Sequence, residues 1–443
     1  MTSEAKVTYL HHEPRIYSRD EHDISRRFIS PNALKVLYRL NGAGFRACLV
    51  GGGVRDLLLG REPKDFDIAT DALPEQVREL FRNCRLIGRR FRLAHVRFGQ
   101  EIIEVATFRA PHEEDDSASV AAMSDEGRIL RDNVYGSIDN DAWRRDLTVN
   151  ALYYDIRDFS VIDYVGGFED LKRGVIRMIG DPELRYREDP VRMLRAVRFA
   201  VKLGFRIDGA SERPLAELGG LLEEISPARL FDESLKLFHG GCALQTFEGL
   251  RHYDLFRQLF PQADAALAHQ HAGFPATLVG RALENTDARI AEGKSVTPAF
   301  LLAALLWDAF EEQREQLQAN GASEQDAQAL AADTVISQQV ARLAVPRRFT
   351  QTTREIWALQ SRLMKPTPKR ARRLLEHPRF RAAYDFLALR AETGEPLAET
   401  VAWWTAIQES DEGGRESLLS ELQGTAGTGK PRRRRRRRPR GPA

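Results

Sequence analysis

The sequence predicts an α+β fold: a head built on a mixed sheet, an all-helical remainder and a disordered basic tail. Three observations predict it. Between Pro31 and about residue 180, short apolar strand-like runs alternate with short helical ones. From Asp189 to about residue 409 helical periodicity dominates and strand signals nearly vanish. From Lys430 onward there are nine basic residues and no acid, so the preceding 429 residues carry a net −7 beneath an overall charge of +2. A chain of 443 residues with 42% hydrophobic content has room for two to four domains with real cores, which excludes wholesale disorder.

Residues 1–30 are polar, with no period that buries a face, and read as a flexible or docked arm. Asn32 to Leu40 has helical spacing through Leu34, Leu37 and Tyr38, and Asn41-Gly42 ends it. Arg46 to Val50 suits a buried strand, Gly51-Gly52-Gly53 a turn, Val54 to Leu59 a short helix and Asp65 to Thr70 a second strand. Pro74 opens a helix reaching Phe81. Arg90–Phe98 and Glu101–Phe108 are strand-like, and Gly99-Gln100 between them predicts a hairpin. Residues 111–128 are acidic and aperiodic, as in a mobile loop, and Asp146 to Asn150 supplies a further strand. The resulting boundaries are 1–30 (arm), 31–180 (head), 181–240 (helical neck), 241–409 (helical body and leg) and 410–443 (disordered tail).

Cys48, Cys84 and Cys242 form no C-x-x-C or Cys/His cluster, which excludes a zinc site or a disulfide framework and points to a reducing, cytoplasmic compartment. The N-terminus lacks an apolar signal core, and the longest apolar run, Ala299–Trp307, is far short of the ~20 residues that span a bilayer. A soluble chain is expected.

Asp65 and Asp67 flank Phe66 in a strand-like run, so both carboxylates share a face. Asp-x-Asp alone is more often a solvated strand end, but paired acids also suit a hard divalent cation. The glycine triplet just before a helix lets backbone N–H groups approach phosphate, with Arg55 and Lys64 adding charge. A phosphate-holding turn and an acid pair between Gly51 and Asp67 together suit a nucleoside triphosphate. A third carboxylate would complete a two-metal site. Asp146 is the first candidate, with Arg144 and Arg145 beside it for phosphate, and Glu104 is the second.

Asp189-Pro190 opens a long helix, with Asp189 as N-cap. Asp189 and Arg192 could also present an acceptor and a donor fork to the edge of a base, and Arg195, Arg198 and Lys202 continue a cationic face. Arg89, Arg90 and Arg92 form a cationic strand pair with Phe91 interleaved, suited to RNA backbone or to a solvated face. His95 reads as a hydrogen-bonded strand residue and Trp403-Trp404 as helix packing.

Leu49-Val-Gly-Gly-Gly-Val-Arg-Asp56, Leu58-Leu-Gly60, Asp65-Phe-Asp67, Arg144-Arg-Asp-Leu-Thr-Val-Asn-Ala151 and Glu188-Asp-Pro-Val-Arg192 resemble, in order, the head and neck motifs of class II nucleotidyltransferases, which include CCA-adding enzymes and bacterial poly(A) polymerases. Leu86 to Val96 and the polybasic end are similar to the poly(A) polymerase branch. The resemblance implies a five-stranded nucleotidyltransferase head with helical neck, body and leg. It implies a template-independent polynucleotide adenylyltransferase that adds AMP from ATP to RNA 3′ ends. Carried over, Asp65, Asp67 and Asp146 are catalytic, Asp65 and Asp67 hold Mg²⁺ in a two-metal site or Mn²⁺ in its place, and Gly51, Gly52, Gly53, Arg55, Arg145, Asp189, Arg192 and Arg195 bind ATP. RNA binding is expected from Arg89, Arg90, Arg92 and the tail residues Lys430, Arg432, Arg433, Arg434, Arg435, Arg436, Arg437, Arg438 and Arg440. Partners are RNA 3′ ends and ATP, with RNA-degradation machinery or RNA chaperones as further candidates. The alternatives are a CCA-adding enzyme, told apart by CMP incorporation and a stop after three nucleotides, and a non-catalytic RNA-binding protein.

Overall fold

The computed structural model describes residues 13–88, 92–110, 122–123, 129–131, 134–269 and 277–425. It falls into two compact units, one of Met1–Ser226 with Gln245–Gln258, the other of Pro227–Leu244 with Leu259–Ala443.

The first unit is organised by one mixed sheet of eight strands. These are β1 (Arg15–Tyr17), β2 (Ala47–Val50), β3 (Asp67–Thr70), β4 (Cys84–Ile87), β5 (Leu93–Phe98), β6 (Glu101–Thr107), β9 (Leu152–Asp155) and β10 (Ser160–Asp163); β7 (Ala122–Met123) and β8 (Ile129–Arg131) pair apart from them, as do β11 (Val175–Ile176) and β12 (Arg206–Ile207). The order is β1-β10-β9-β2-β3-β6-β5-β4, antiparallel throughout except β3 against β6. The α+β architecture is as expected, but the sheet has three strands more than the resemblance implies. One of them, β1, lies in the supposed arm: Tyr17 is buried and stacks on Phe168 with ring centroids 3.7 Å apart. Three residues with a single buried member leave no periodic signal. The β5–β6 hairpin turns at Gly99, whose φ is +64°, as its two-residue connection predicts.

Helix α1 (Pro31–Gly42) starts where Ser30 Oγ accepts the Asn32 N–H at 3.1 Å, with Pro31 in the first turn. It buries Ala33, Val36, Leu37 and Leu40, whereas Tyr38 is exposed and accepts from Arg26 at 2.8 Å. Helices α2 (Gly52–Leu58) and α3 (Pro74–Leu80) follow β2 and β3. Helix α4 (Ile138–Arg144) packs Ile138 and Ala142 against Cys48, Val50, Ala69, Tyr153 and Ile162, covering one sheet face. The strand expected over residues 146–150 is instead a 3₁₀ turn at Thr148–Asn150, and the strand begins at Leu152. Helices α5 (Gly167–Arg173), α6 (Pro182–Glu188) and α7 (Val191–Leu203) follow.

The second unit is helical over its described residues. Trp357 is buried, stacks on Phe310 at 4.5 Å and donates its indole N–H to the Ala303 carbonyl at 3.1 Å. Trp404, fully buried, donates to the Leu363 carbonyl at 3.0 Å, the packing role expected of it. A helix at Glu412–Thr425 occupies part of the segment expected to lack order, its Leu419 buried against the Trp404 cluster; the rest of the tail lies outside the described residues.

Candidate active site

Strand register builds the site. Ile16, Ile162, Tyr153, Val50, Asp67, Glu104, His95 and Arg85 are paired in succession across the sheet. Residues paired directly share a face, so this row brings together groups up to 146 positions apart. Asp67 opens β3, and Asp65 precedes the strand, exposed, with Phe66 half-buried. Burial, then the Glu104 carboxylate and to a lesser degree Asp65, push the Asp67 carboxyl up to about 6 against the pull of Arg145. His95 is on β5 as expected, its Nε2 3.1 Å from Glu104 Oε1, but the contact lacks hydrogen-bond geometry, so the hydrogen bond expected of it is not made there. Crowded carboxylates with oxygen donors fit a hard divalent cation. Among the described residues no three His, Cys, Asp or Glu side chains cluster as a metal cage, so an ion at Asp65 and Asp67 would complete its shell with water and phosphate oxygens.

The phosphate side comes from α4 and the glycine turn. Gly51 has φ +72° and ψ −132°, a conformation open to glycine, and a Cβ there would sit 3.4 Å from Arg145 Nη1. Arg145 is fixed by Asp141, which accepts from Nε at 3.1 Å and Nη2 at 3.0 Å, and Nε lies 3.1 Å from the Tyr153 hydroxyl. Tyr153 itself donates to Asp141 at 2.7 Å. Although burial alone would lower it, these partners hold the guanidinium far above its ordinary value, permanently cationic. Arg55 departs from the expected phosphate contact: it is 2% exposed, donates to Asn150 Oδ1 at 2.6 Å and Asp56 Oδ1 at 2.8 Å, and so braces the turn from beneath.

Asp146 stands in a different company. Its Oδ2 is 2.7 Å from Arg195 Nε, and its Oδ1 accepts the Leu147 N–H at 2.8 Å. Burial raises its carboxyl, but Arg195, that N–H and Arg192 outweigh burial and hold it below the usual value. The acid that strand register places beside Asp67 is Glu104, while Asp146 pairs with Arg195 of α7. Asp189 does not cap α7: it ends α6, and Pro190 occupies the N-cap position. Arg192 is buried, its Nη1 donating to Glu188 Oε2 at 2.7 Å and to the Arg185 carbonyl at 2.8 Å. Sequence reasoning missed Asp141, Asn150, Tyr153, Arg185 and Glu188. Arg185 ties α6 to the C-terminal end of α4, donating to the Arg144 and Arg145 carbonyls at 2.7 Å each. Asn150 had a signal, its place in the Arg144–Ala151 motif. Arg92 pairs with Glu75 at 2.8 Å, while Arg89, Arg90, Lys430, Arg432 to Arg438 and Arg440 lie outside the described residues.

Comparison with known proteins places this site in a lineage. Residues 47–177 match the profile of the poly A polymerase head domain, residues 204–267 that of the probable RNA and SrmB-binding site of polymerase A, and residues 320–440 that of the polymerase A arginine-rich C-terminus. Poly(A) polymerase I of Escherichia coli O6:H1 is 52% identical over 424 residues, 95% of this chain and 91% of that one. The chain belongs to the poly(A) polymerase family. It is a nucleotidyltransferase with poly(A) polymerase function. The CCA-adding enzyme of Lactobacillus helveticus is more distant, 39% identical over 216 residues, 49% of this chain and 52% of that one. The poly(A) polymerase fold is shared with the Bacillus stearothermophilus CCA-adding enzyme solved with CTP, at a TM-score of 0.57 and 24% identity over 90% of this chain and 93% of that one.

Proposed function

We propose that this poly(A) polymerase transfers AMP from ATP to RNA 3′ ends, with Asp65 and Asp67 holding Mg²⁺, or Mn²⁺ in its place. The observation that carries the reading is the sheet row that sets Asp67 beside Glu104 and within the field of Arg145, next to the Gly51 turn. The N–H groups of Gly51, Gly52 and Gly53, with the clamped Arg145, grip the triphosphate. Bound at the acid pair, a divalent ion supplies charge neutralisation of phosphate and attacking oxygen. The RNA 3′ oxygen bonds the α-phosphorus in line, the bridging oxygen leaves with pyrophosphate, and the hydroxyl proton passes to solvent. Asp146 holds Arg195 toward the phosphates, and Asp189 with the rigid Arg192 fork reads the adenine edge. Positioning and fixed charge supply most of the rate.

The helical neck, body and leg, Arg89, Arg90, Arg92 and the Arg-rich tail hold RNA backbone in this reading. No helix among the described residues is long and apolar enough to cross a membrane, and the three cysteines are free. A cytoplasmic role in mRNA processing and turnover, beside RNA-degradation machinery or RNA chaperones, agrees with both. The test supplies Mg²⁺ and each labelled nucleoside triphosphate separately, with an oligo(A) primer and with tRNA lacking its 3′ end. Long ATP-only extension that Asp65→Ala abolishes is expected. CMP addition ending in one A would make it a CCA-adding enzyme, and no incorporation a binding protein.

A further inference from the structure

We propose that the helical unit carries its own site for the phosphodiester backbone of single-stranded RNA, in a hollow between the helices Arg347–Met364 and Pro368–Leu375; the inference rests on the RNA-elongation reading above. The hollow has a volume of about 530 Å³ and is lined by Arg362, Lys369, Arg370, Arg373 and His377, with Thr367 and Leu374 and no acid. Helix Pro368–Leu375 buries Ala371 and Leu374, which turns Lys369, Arg370 and Arg373 away from the core. Lys369 and Arg373 stand four apart and Arg370 and Arg373 three apart, so like charges repel along one face.

Several neighbouring cations are matched: Arg372 with Glu416 at 2.5 Å, Arg354 with Asp333 at 2.9 Å and Arg390 with Glu395 at 2.6 Å. Arg362, Lys369 and Arg373 enter no ion pair among the described residues. His377 accepts the Arg379 N–H on Nδ1 at 3.1 Å, which leaves Nε2–H as a donor in the neutral ring. Unpaired cations around a concavity call for an anion. The anion at hand is the RNA backbone that this polymerase extends; a second hollow of about 700 Å³ shares Arg362 and Arg370, but there Lys365 and Arg354 are paired with Glu324 and Asp333, so the open charge is confined to the first. No Phe, Tyr or Trp lines the first hollow, so its contacts are chiefly to phosphates, which position the strand without reading sequence.

The test compares the full chain with its Arg362→Ala/Lys369→Ala/Arg373→Ala variant, measuring oligo(A) affinity across a KCl series. Loss of at least about tenfold in affinity at low salt is expected, with the slope of log affinity against log salt shallower by about 2, from ~0.7 per single-strand phosphate contact. ATP affinity without RNA, thermal unfolding and adenylate addition to a primer too short to bind both units stay unchanged. The Arg362→Lys/Arg373→Lys variant keeps the wild-type slope, because only charge is required. An unchanged slope in the alanine variant overturns the site, and so does a parallel fall in ATP affinity, which would make the hollow a nucleotide pocket. If the wild-type chain binds oligo(A) with the expected slope yet adds no adenylate, the reaction fails while the site stands.

Discussion

Asp67 and Asp146 are both acids beside arginine, yet their surroundings send them in opposite directions. Asp67 sits among carboxylates and rises to about 6, whereas Asp146 sits among guanidiniums and falls. Glu104→Gln is expected to lower adenylate incorporation and Mg²⁺ affinity together by roughly 10–100-fold, as for a group adjoining metal ligands. An unchanged Mg²⁺ titration would remove Glu104 from the site. For Asp146 the folded carboxyl lies below its unfolded value of 3.8, so its stabilisation is fully present above 3.8 and is lost as pH falls from there through the lower folded value. Thermal unfolding of Asp146→Asn should therefore lack part of the acid-side drop seen in the wild type. Arg195→Ala, which removes the guanidinium paired with the carboxylate, should cost about 2 kcal/mol and, by letting burial raise the Asp146 carboxyl, shrink the acid-side drop. Equal midpoint-against-pH curves for all three proteins would refute the pairing.

The glycine turn and α4 act as one device. β2 ends at Val50, Gly51 reverses the chain with its positive φ, and Arg145 from α4 arrives against the bare backbone. Gly51→Ala is therefore expected to cost roughly 1–3 kcal/mol of strain and to raise the KM for ATP, because the methyl group meets Arg145 Nη1. Wild-type KM and melting temperature in that variant would show that the turn is neither strained nor near triphosphate. The glycine run, the hairpin at Gly99-Gln100 and the Trp404 packing were legible because each is a local pattern. The buried role of Arg55 was not, since an arginine facing phosphate and one facing Asn150 read alike in sequence. Nor was the exposure of Tyr38, because helical spacing alone allowed either of two adjacent faces to be the buried one.

At the scale of the molecule, a body of net −7 carries nine bases at its end, and RNA must be held against that overall repulsion. Removing residues 430–443 is expected to weaken RNA affinity and flatten its salt dependence while ATP binding persists; an unchanged salt slope would deny the tail a part in RNA binding. From the sequence alone came the division into mixed-sheet head and helical remainder, the Asp65/Asp67 pair, the glycine turn and the nucleotidyltransferase kinship, since periodicity and short motifs are properties of neighbours along the chain. Only the tertiary structure decided that Glu104 stands beside Asp67, that Asp146 belongs to Arg195, that Asp141 and Tyr153 hold Arg145, and that β1 joins the sheet. Strand register and the helix laid over it determine which distant side chains share a face, and no spacing within one segment encodes that choice.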